Sequence, residues 1–302
     1  MNTPRVLIGP SSFGLVDAAP LQRLQDAGYD IVQNPFGRKL SERELVELLP
    51  GVSGLIAGLE PLSRFVLERS TLRVISRSGA GMSNVDLEAA RQLGIVVRNT
   101  PDAPSAAVAE LTVGMMLALL RHVAPMNAEL HEGRWTRLVG AQLEAKTVVI
   151  VGFGRIGRRV ARLLEPFNVR LVAVDHAVPA VDPPAEFMTL DDALPLADIV
   201  TLHASGEGVI LGREELLRLK PGAWVLNAGR GGLVDEEALC ESLERGHVAG
   251  AWVDAFRDEP YAGPLVRYPQ VLLTPHIGSL TAECRRRMEM EAVDNLLEAL
   301  AL

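Results

Sequence analysis

The sequence contains few cysteines, few aromatic residues and no excess of positive charge. Of its 302 residues, two are cysteines and 4% are aromatic, and 38 aspartates and glutamates outnumber 30 lysines and arginines. Cys240 and Cys284 lie 44 positions apart, which matches neither a metal-ligand motif nor a disulfide framework. The formal charge of −8, without a basic stripe, argues against a nucleic-acid-binding protein.

Long apolar segments are missing too. No apolar run reaches the roughly 18 residues that a membrane span requires, and the N-terminal MNTPRVLIGP has no apolar region typical of a secretory signal. We therefore expect a cytoplasmic protein that binds neither membranes nor nucleic acid. A chain of 302 residues is long enough for about two domains and a cleft between them.

Two series of short apolar segments alternate with helical patterns. The first series is RVLIG (5–9), YDIVQN (29–34), GLIAG (54–58), LRVIS (72–76) and GIVVR (94–98). The second is TVVIV (147–151), VRLVAVD (169–175), DIVTLH (198–203), AWVLNA (223–228), VAGAWVD (248–254) and VLLTP (271–275). This alternation predicts parallel βα units with both sheet faces covered. The stretch 105–124 is apolar nearly all round and predicts one buried helix, and 281–302 predicts a final amphipathic helix.

The second series opens with a glycine motif in the context of a dinucleotide-binding turn. Gly152, Gly154 and Gly157 form G-x-G-x-x-G directly after a predicted strand and before a helical pattern that stops at Pro166. The glycines permit a tight turn, backbone approach to a pyrophosphate and close helix packing. Asp175 ends the next strand, where a carboxylate binds an adenosine ribose and repels a 2′-phosphate. The motif therefore predicts NAD rather than NADP as the cofactor.

Reactive side chains follow the later strands of this series. His203, Arg230, Asp254, Glu259 and His276 all stand at or just beyond a predicted strand end. Since the carboxyl ends of parallel strands share one edge of the sheet, one cleft can collect all five side chains. The glycine loop is expected at the same edge.

These residue types suit hydride transfer coupled to proton transfer. His276 stands between Pro275 and Gly278, which constrains its backbone, and Glu259 can orient and charge its imidazole. The imidazole would then exchange a proton with a substrate oxygen while a hydride passes to or from the nicotinamide. Arg230 would bind a carboxylate and polarise the carbonyl.

Several further segments give the chain a resemblance to a known family. VGFGRIGRRVA (151–161), NAGRGGLVDEEAL (227–239), DAFRDEP (254–260) and TPHIGSLT (274–281) occur in order, after RSGAGMSNVDLEAARQLGIVVRNTP (77–101). With them, nearly the whole chain resembles the D-isomer-specific 2-hydroxyacid dehydrogenase family, especially its phosphoglycerate dehydrogenase-like branch.

The resemblance implies an α/β fold of two Rossmann-like lobes around a cleft, the first flavodoxin-like. It implies a substrate domain of residues 1–102 plus 282–302, an NAD-binding domain of residues 103–281 that includes the linking helix, and a homodimer. It also implies a set of site residues. These are Arg230, Glu259 and His276 for catalysis; Asp254 to orient the carboxamide; Arg155 and Ile156 at the pyrophosphate; Ala228, Gly229, Gly278 and His203 in the cofactor site; and the backbone around Ser78, Gly79, Ala80 and Gly81 for the substrate carboxylate.

The residues leave the substrate open. Arg77 stands at a position similar to a phosphate-binding arginine of phosphoglycerate dehydrogenases, but Gly58 and Glu60 occupy the region where those enzymes commonly place another arginine. A carboxylate there opposes a phosphate by like charge. An unphosphorylated 2-hydroxy acid is therefore favoured, with 3-phosphoglycerate as the alternative. The segment HASGEGVILG (203–212) is shorter than the family's loop, and no additional regulatory domain is expected after the last helix.

Other functions on the same fold are weaker interpretations. Formate dehydrogenases of this family carry a glutamine as the partner of the histidine, so Glu259 argues against that chemistry. A phosphite dehydrogenase remains an alternative on these motifs. An NAD-sensing corepressor that binds without catalysis is a further alternative, which the complete set of Arg230, Glu259 and His276 disfavours.

Overall fold

The structure is a computed structural model that describes residues 3–177, 184–206 and 208–301 of the chain. Its strands are β1 (Arg5–Ile8), β2 (Asp30–Gln33), β3 (Val52–Ala57), β4 (Val74–Arg77), β5 (Val96–Asn99), β6 (Thr147–Val151), β7 (Arg170–Val174), β8 (Glu186–Phe187), β9 (Ile199–Leu202), β10 (Ala223–Asn227), β11 (Val248–Val253) and β12 (Val271–Leu273). Its α-helices are α1 (Ala19–Asp26), α2 (Glu42–Leu48), α3 (Arg64–Leu67), α4 (Leu87–Gln92), α5 (Ser105–Leu120), α6 (Val123–His131), α7 (Arg155–Leu164), α8 (Leu190–Ala193), α9 (Arg213–Arg218), α10 (Glu236–Glu244) and α11 (Ala282–Leu300).

The chain folds into two units, and the polypeptide passes from one unit to the other twice. Unit 1 is Met1–Pro104 with Leu280–Leu302, and unit 2 is Ser105–Ser279. The sequence prediction placed the two domain boundaries between residues 102 and 103 and between residues 281 and 282. Residues 178–183 and Glu207, which belongs to the shortened loop 203–212, lie outside the described residues.

Unit 1 contains a parallel sheet with the strand order β2-β1-β3-β4-β5. This is the flavodoxin-like order, whose direction of winding reverses between β1 and β3. One face of the sheet packs against α11, where Val293 and Leu296 are fully buried. The other face packs against α2, α3 and α4 through fully buried side chains such as Leu45 and Val66. The predicted flavodoxin-like α/β unit is confirmed.

Unit 2 contains a parallel sheet with the strand order β12-β11-β10-β9-β6-β7-β8. This is the doubly wound Rossmann order extended by one strand, and its switch point lies between β6 and β9. Both faces are covered, because buried side chains of the sheet pack into two separate hydrophobic clusters. All five residues of β6 are buried, as the continuous apolar run TVVIV predicts for a central parallel strand. The two-residue β8 had no counterpart in the sequence prediction.

The helix predicted over 105–124 ends earlier than expected. Helix α5 stops at Leu120 and α6 begins at Val123, with an angle of 67° between the two helices. His122 adopts a left-handed conformation with φ of 50°, which ends the helical path. Pro125 then lies in the first turn of α6, where a residue without an N–H is tolerated. The single-helix prediction was therefore wrong at its C-terminal end.

Within the described residues, no helix taken singly is long and apolar enough to cross a membrane. Helices α5 and α6 satisfy the length and composition criteria only as a bent pair.

Candidate active site

The three glycines of the motif after β6 each have a distinct structural requirement. Gly152 has φ of +90°, and a Cβ there would lie 2.5 Å from the backbone nitrogen of Ala204. A Cβ on Gly157 would lie 2.2 Å from the carbonyl oxygen of Gly152. At Gly154, by contrast, a Cβ would meet no described atom within 4 Å. The backbone is therefore tightly packed at two glycines and open at the middle one, where a pyrophosphate has to approach.

Helix α7 starts directly after this open backbone. Gly154 is its N-cap, and Arg155, Ile156 and Gly157 form its first turn. The first-turn N–H groups of a helix have no acceptor within the helix, and the positive end of its dipole favours an anion. The residues present fit a dinucleotide pyrophosphate.

Asp175 follows β7 and contacts the glycine loop. Its Oδ2 accepts a hydrogen bond of 2.6 Å from the N–H of Phe153, and its Oδ1 accepts one of 3.1 Å from Ala177. The half-buried carboxylate therefore fixes the turn between Gly152 and Gly154. Each oxygen retains a lone pair for another donor such as a ribose hydroxyl.

His203 follows β9, across the switch point from the glycine loop. Its backbone carbonyl carbon would lie 2.7 Å from a Cβ on Gly152. Its ring Nε2 lies 3.0 Å from the hydroxyl of Thr201, and its Nδ1 is buried without a hydrogen-bond partner among the described residues. Burial lowers the pKa of His203 to about 3, so the ring is neutral at neutral pH.

The loop after β10 carries Arg230 and is held by Asn227, which is 1% exposed. The Asn227 side chain accepts a hydrogen bond from the N–H of Gly229 at 3.1 Å and donates one to the carbonyl of Arg230 at 2.9 Å. Ala228, which directly follows Asn227, donates its N–H to the backbone carbonyl oxygen of Leu202. Asn227 was not among the predicted site residues, although a buried amide at a strand end signals such a role.

Arg230 is half-buried, and its Nη1 donates to the carbonyl oxygen of Gly229 at 2.8 Å. Burial lowers the pKa of the Arg230 guanidinium, while the negative charge of Glu259 acts in the opposite direction. Arginine nevertheless stays protonated in proteins, so a permanent positive charge lies within electrostatic reach of Glu259.

Glu259 and His276 form a close pair within unit 2. The Nδ1 of His276 lies 3.0 Å from Oε1 and 3.1 Å from Oε2 of Glu259, and Oε1 also accepts the N–H of Phe256 at 3.0 Å. His276 has a left-handed φ of 53°, and its side chain is 36% exposed. Its other ring nitrogen, Nε2, has no hydrogen-bond partner among the described residues. The carboxylate therefore orients the ring while one nitrogen stays available to a substrate.

Asp254 anchors the loop that carries His276. The carboxylate is 3% exposed and accepts hydrogen bonds from the Thr274 hydroxyl at 2.5 Å and from the N–H groups of Ile277 and Gly278, both at 2.9 Å. Thr274 in turn accepts a bond of 2.9 Å from the indole of Trp252. Thr274 was not predicted as a site residue, since its partners lie on a different strand.

The predicted substrate loop after β4 lies in unit 1. Gly79 has φ of +137°, and Arg77 donates to the carbonyl of Ser78 at 2.7 Å. The N–H of Ser78 is bonded to Ala57, and the N–H of Gly79 to the hydroxyl of Thr100. Among the described residues, no acceptor contacts the N–H groups of Ala80 and Gly81. Only these two of the four predicted backbone donors are therefore unused.

The predicted residues thus form groups within their own units. In unit 2, Glu259 is bonded to His276 and interacts by charge with Arg230, and Asp254 holds the loop that carries His276. The glycine loop is linked to Asp175 and lies against His203. In unit 1, the backbone at 77–81 forms a separate group.

Comparison with known proteins identifies the family to which the chain belongs. Residues 113–278 match the model of the family described as "D-isomer specific 2-hydroxyacid dehydrogenase, NAD binding domain". A hydroxypyruvate reductase of Thermotoga maritima is 36% identical over 274 residues, which cover 87% of this chain and 90% of that protein. A D-3-phosphoglycerate dehydrogenase of Sus scrofa is 36% identical over 299 residues, which cover 95% of this chain but 54% of that protein. The chain therefore spans about half the length of that second relative.

A crystal structure of a Thermus thermophilus protein has the same fold. It superposes with a TM-score of 0.90 at 37% identity and covers 98% of this chain and 97% of that one. The family match covers more than half of the chain and includes the glycine loop, Asp175, Arg230, Glu259 and His276. The chain therefore belongs to the D-isomer specific 2-hydroxyacid dehydrogenase family and is an NAD-dependent oxidoreductase.

Proposed function

We propose that the chain interconverts a 2-keto acid and the corresponding D-2-hydroxy acid with His276 as the acid and base. The observation that carries this proposal is the contact of 3.0 Å between His276 and Glu259, which leaves Nε2 of the ring available. NAD, when bound, supplies or accepts the hydride at the carbon that bears the reacting oxygen.

His276 moves the proton that accompanies the hydride. In the oxidation direction, Nε2 takes the proton of the substrate hydroxyl, and in the reduction direction it returns a proton to the carbonyl oxygen. Nδ1 stays bonded to Glu259, whose negative charge stabilises the imidazolium form. A positioned acid or base of this kind contributes about 10²–10⁴ in rate.

Arg230 binds the substrate carboxylate and polarises the carbonyl. Its guanidinium is planar, permanently charged and partly withdrawn from water, which strengthens a charge-assisted hydrogen bond. Removing it should weaken both substrate binding and the stabilisation of negative charge on the reacting oxygen.

The cofactor contacts are assigned to the carboxyl edge of the sheet of unit 2. Arg155, Ile156 and the three glycines of the loop bind the pyrophosphate, and Asp175 binds the adenosine ribose. The remaining contacts are assigned to His203, Ala228, Gly229, Asp254 and Gly278. In this assignment residues 103–281 are the NAD-binding domain.

Residues 1–102 plus 282–302 are assigned as the substrate domain. The unused N–H groups of Ala80 and Gly81 are the donors proposed for the substrate carboxylate. The relative matched over 90% of its length is a hydroxypyruvate reductase, which favours a small unphosphorylated acid over 3-phosphoglycerate. D-Glycerate and hydroxypyruvate are therefore the first substrate pair to test.

The assembly proposed is a homodimer in the cytoplasm. Large apolar side chains are exposed along α6 and the segment that follows it. They are Val123, Leu130, Trp135, Leu138 and Val139. Trp135 is 79% and Val139 95% exposed, which is unusual for a free surface and suits contact with a second copy. Both cysteines are free and buried, in keeping with a reducing compartment. Light scattering on wild type and Trp135→Ser tests the dimer, which a monomeric wild type contradicts.

Activity is tested by NAD reduction with a panel of D-2-hydroxy acids, and by NADH oxidation with the matching keto acids. Turnover should fall at least about a hundredfold in His276→Asn and in Arg230→Ala, with NAD affinity nearly unchanged in His276→Asn. His247→Asn, directly before β11 and therefore at the opposite edge of the sheet from the proposed site, is the matched control and should keep the wild-type kcat/KM. Tight NAD binding without turnover of any acid would favour the sensor alternative, and a near-normal rate in His276→Asn would contradict its role.

A further inference from the structure

Unit 1 buries a carboxylate that the proposed reaction does not use. Glu60, three residues beyond β3, is 1% exposed. Among the described residues, no lysine, arginine or histidine lies within ion-pair distance of it. Its Oε2 accepts a hydrogen bond of 2.5 Å from the N–H of Gly58. An acidic side chain withdrawn from water without a salt-bridge partner is uncommon.

Glu60 lies at the switch point of the sheet in unit 1. Gly9 directly follows β1, and a Cβ on Gly9 would lie only 2.2 Å from Oε1 of Glu60. Gly58 directly follows β3, and a Cβ there would lie 3.3 Å from Oε2. The carboxylate therefore covers the carboxyl ends of β1 and β3, between which the strand order reverses. Ligands of open parallel sheets bind in this crevice.

The backbone at Gly58 and Glu60 is also tied to the segment that follows the proposed substrate loop. Asn84, beyond that loop, donates to the carbonyls of Gly58 and Glu60 at 3.1 and 2.7 Å. Burial raises the pKa of Glu60, while hydrogen bonds from backbone N–H groups and the charge of Arg77 act in the opposite direction. Arg77, at the end of β4, therefore already interacts with a negative charge from its own unit. Part of its attraction for a substrate phosphate is cancelled.

We propose that Glu60 determines which 2-hydroxy acids the enzyme accepts, by excluding acids that carry a second anionic group beyond the reacting carbon. This inference rests on the function proposed above. A phosphate or second carboxylate entering the crevice would meet a like charge in a medium of low polarity, where repulsion is stronger than in water. The accepted class is acids with an uncharged substituent.

Matched substrate pairs test the proposal. D-Glycerate and D-3-phosphoglycerate differ only in the phosphate, and D-lactate and D-malate differ by one carboxylate. We expect the wild type to have a kcat/KM at least about tenfold higher for the uncharged member of each pair. Glu60→Gln, which keeps the size of the side chain and removes its charge, should narrow this ratio at least about tenfold by raising kcat/KM for the anionic member.

Two further variants complete the experiment. Glu47→Gln removes one negative charge at an exposed position of α2 in the same unit and should leave the ratios within about twofold of wild type. Glu60→Asp keeps the charge and should keep the preference for uncharged acids. Thermal melting shows whether each variant is folded. If Glu60→Gln is not folded, the kcat/KM ratios of the wild type and of Glu60→Asp test the proposal.

The outcomes separate this inference from the proposed function. If no 2-hydroxy acid is turned over, the proposed function fails. If acids are turned over but the wild type prefers the anionic members, the role of Glu60 is overturned while the enzyme assignment stands. Unchanged ratios in a folded Glu60→Gln, or a lost preference in a folded Glu60→Asp, overturn it as well.

Discussion

The carboxylate of Asp254 accepts a hydrogen bond of 2.9 Å from the N–H of Gly278, two residues beyond His276. A second N–H of the same loop and the hydroxyl of Thr274 bind the same carboxylate. Since His276 has a left-handed backbone, which costs free energy for a residue other than glycine, these bonds stabilise the conformation that places the imidazole beside Glu259. Asp254 can therefore position His276 in addition to any contact with the nicotinamide.

Thr274→Val tests this positioning role without altering Asp254. Valine has the shape of threonine but can neither donate to Asp254 nor accept from Trp252, so the loop should lose its preferred conformation. We expect kcat to fall about tenfold, with KM for NAD within about twofold of wild type. Thr274→Ser restores the hydroxyl and should recover most of the rate. A Thr274→Val enzyme with an unchanged kcat, or a loss confined to NAD affinity, would contradict the role.

Two alanine substitutions in the glycine loop should affect different properties. Gly154→Ala should weaken NAD binding, and Gly157→Ala should lower thermal stability. Gly154→Ala adds a methyl group where no described atom lies within 4 Å, so the melting temperature should stay within about 2 °C. The same methyl obstructs the approach of a pyrophosphate, and NAD affinity should fall at least about tenfold. Gly157→Ala instead forces a Cβ to within 2.2 Å of the Gly152 carbonyl oxygen and should lower the melting temperature by several degrees.

Calorimetric titration with NAD and thermal melting of both variants measure the two effects. Gly114→Ala in α5 is the control, because Gly114 has open space around its Cβ position and an ordinary φ. Gly28 also has open space, but its φ of +82° makes it unsuitable. Gly114→Ala should change neither quantity for the worse. Undiminished NAD affinity in Gly154→Ala would show that the pyrophosphate does not approach this backbone.

The fold follows from the sequence because its strands are short, apolar and regularly spaced. TVVIV coincides with β6, and the glycine motif appears in the conformations that its spacing predicts. The break after α5 was not predictable, because the composition stays apolar past the residue where His122 turns left-handed. The end of a helix in such a segment depends on tertiary packing rather than on hydrophobic periodicity.

The candidate site was predictable only in part. Residue type and position at strand ends identify His276, Glu259 and Arg230, but they do not show which polar groups bind one another. Thr274 and Asn227 hold the site through partners on other elements. Likewise, the family resemblance implies that the N–H groups of Ser78 and Gly79 are substrate donors, whereas the fold uses both internally. Hydrogen-bond partners of this kind depend on the assembled sheet.

Asp175→Asn separates the charge of this residue from its contact with the glycine loop. The amide oxygen can still accept the N–H of Phe153, and only the longer contact with the exposed Ala177 loses its acceptor, so stability should change little. The charge that opposes a 2′-phosphate is lost. We expect the preference for NAD over NADP, measured as the ratio of kcat/KM, to narrow at least about tenfold. Asp175→Ala also loses the contact with Phe153 and should in addition lower the melting temperature. An unchanged cofactor preference in Asp175→Asn would contradict the ribose assignment.

His203 should make unit 2 less stable in mild acid. Burial lowers its pKa to about 3, whereas in an unfolded chain a histidine has a pKa near about 6.5. Between these values the unfolded state binds one proton more than the folded state, so this contribution to stability is complete above about pH 6.5 and is lost as the pH falls towards 3. From pH 7 to pH 5 the free energy of unfolding should fall by about 2 kcal/mol through this group.

Urea unfolding followed by tryptophan fluorescence reports on unit 2, because Trp135, Trp224 and Trp252 all belong to that unit. His203→Gln removes the titrating ring and should reduce the loss of stability between pH 7 and pH 5 by about 2 kcal/mol, whatever its effect at pH 7. His176→Gln, at an exposed position two residues beyond β7, should keep the wild-type dependence. Equal pH dependence in wild type and His203→Gln would mean that the ring of His203 is accessible to protons in the folded unit.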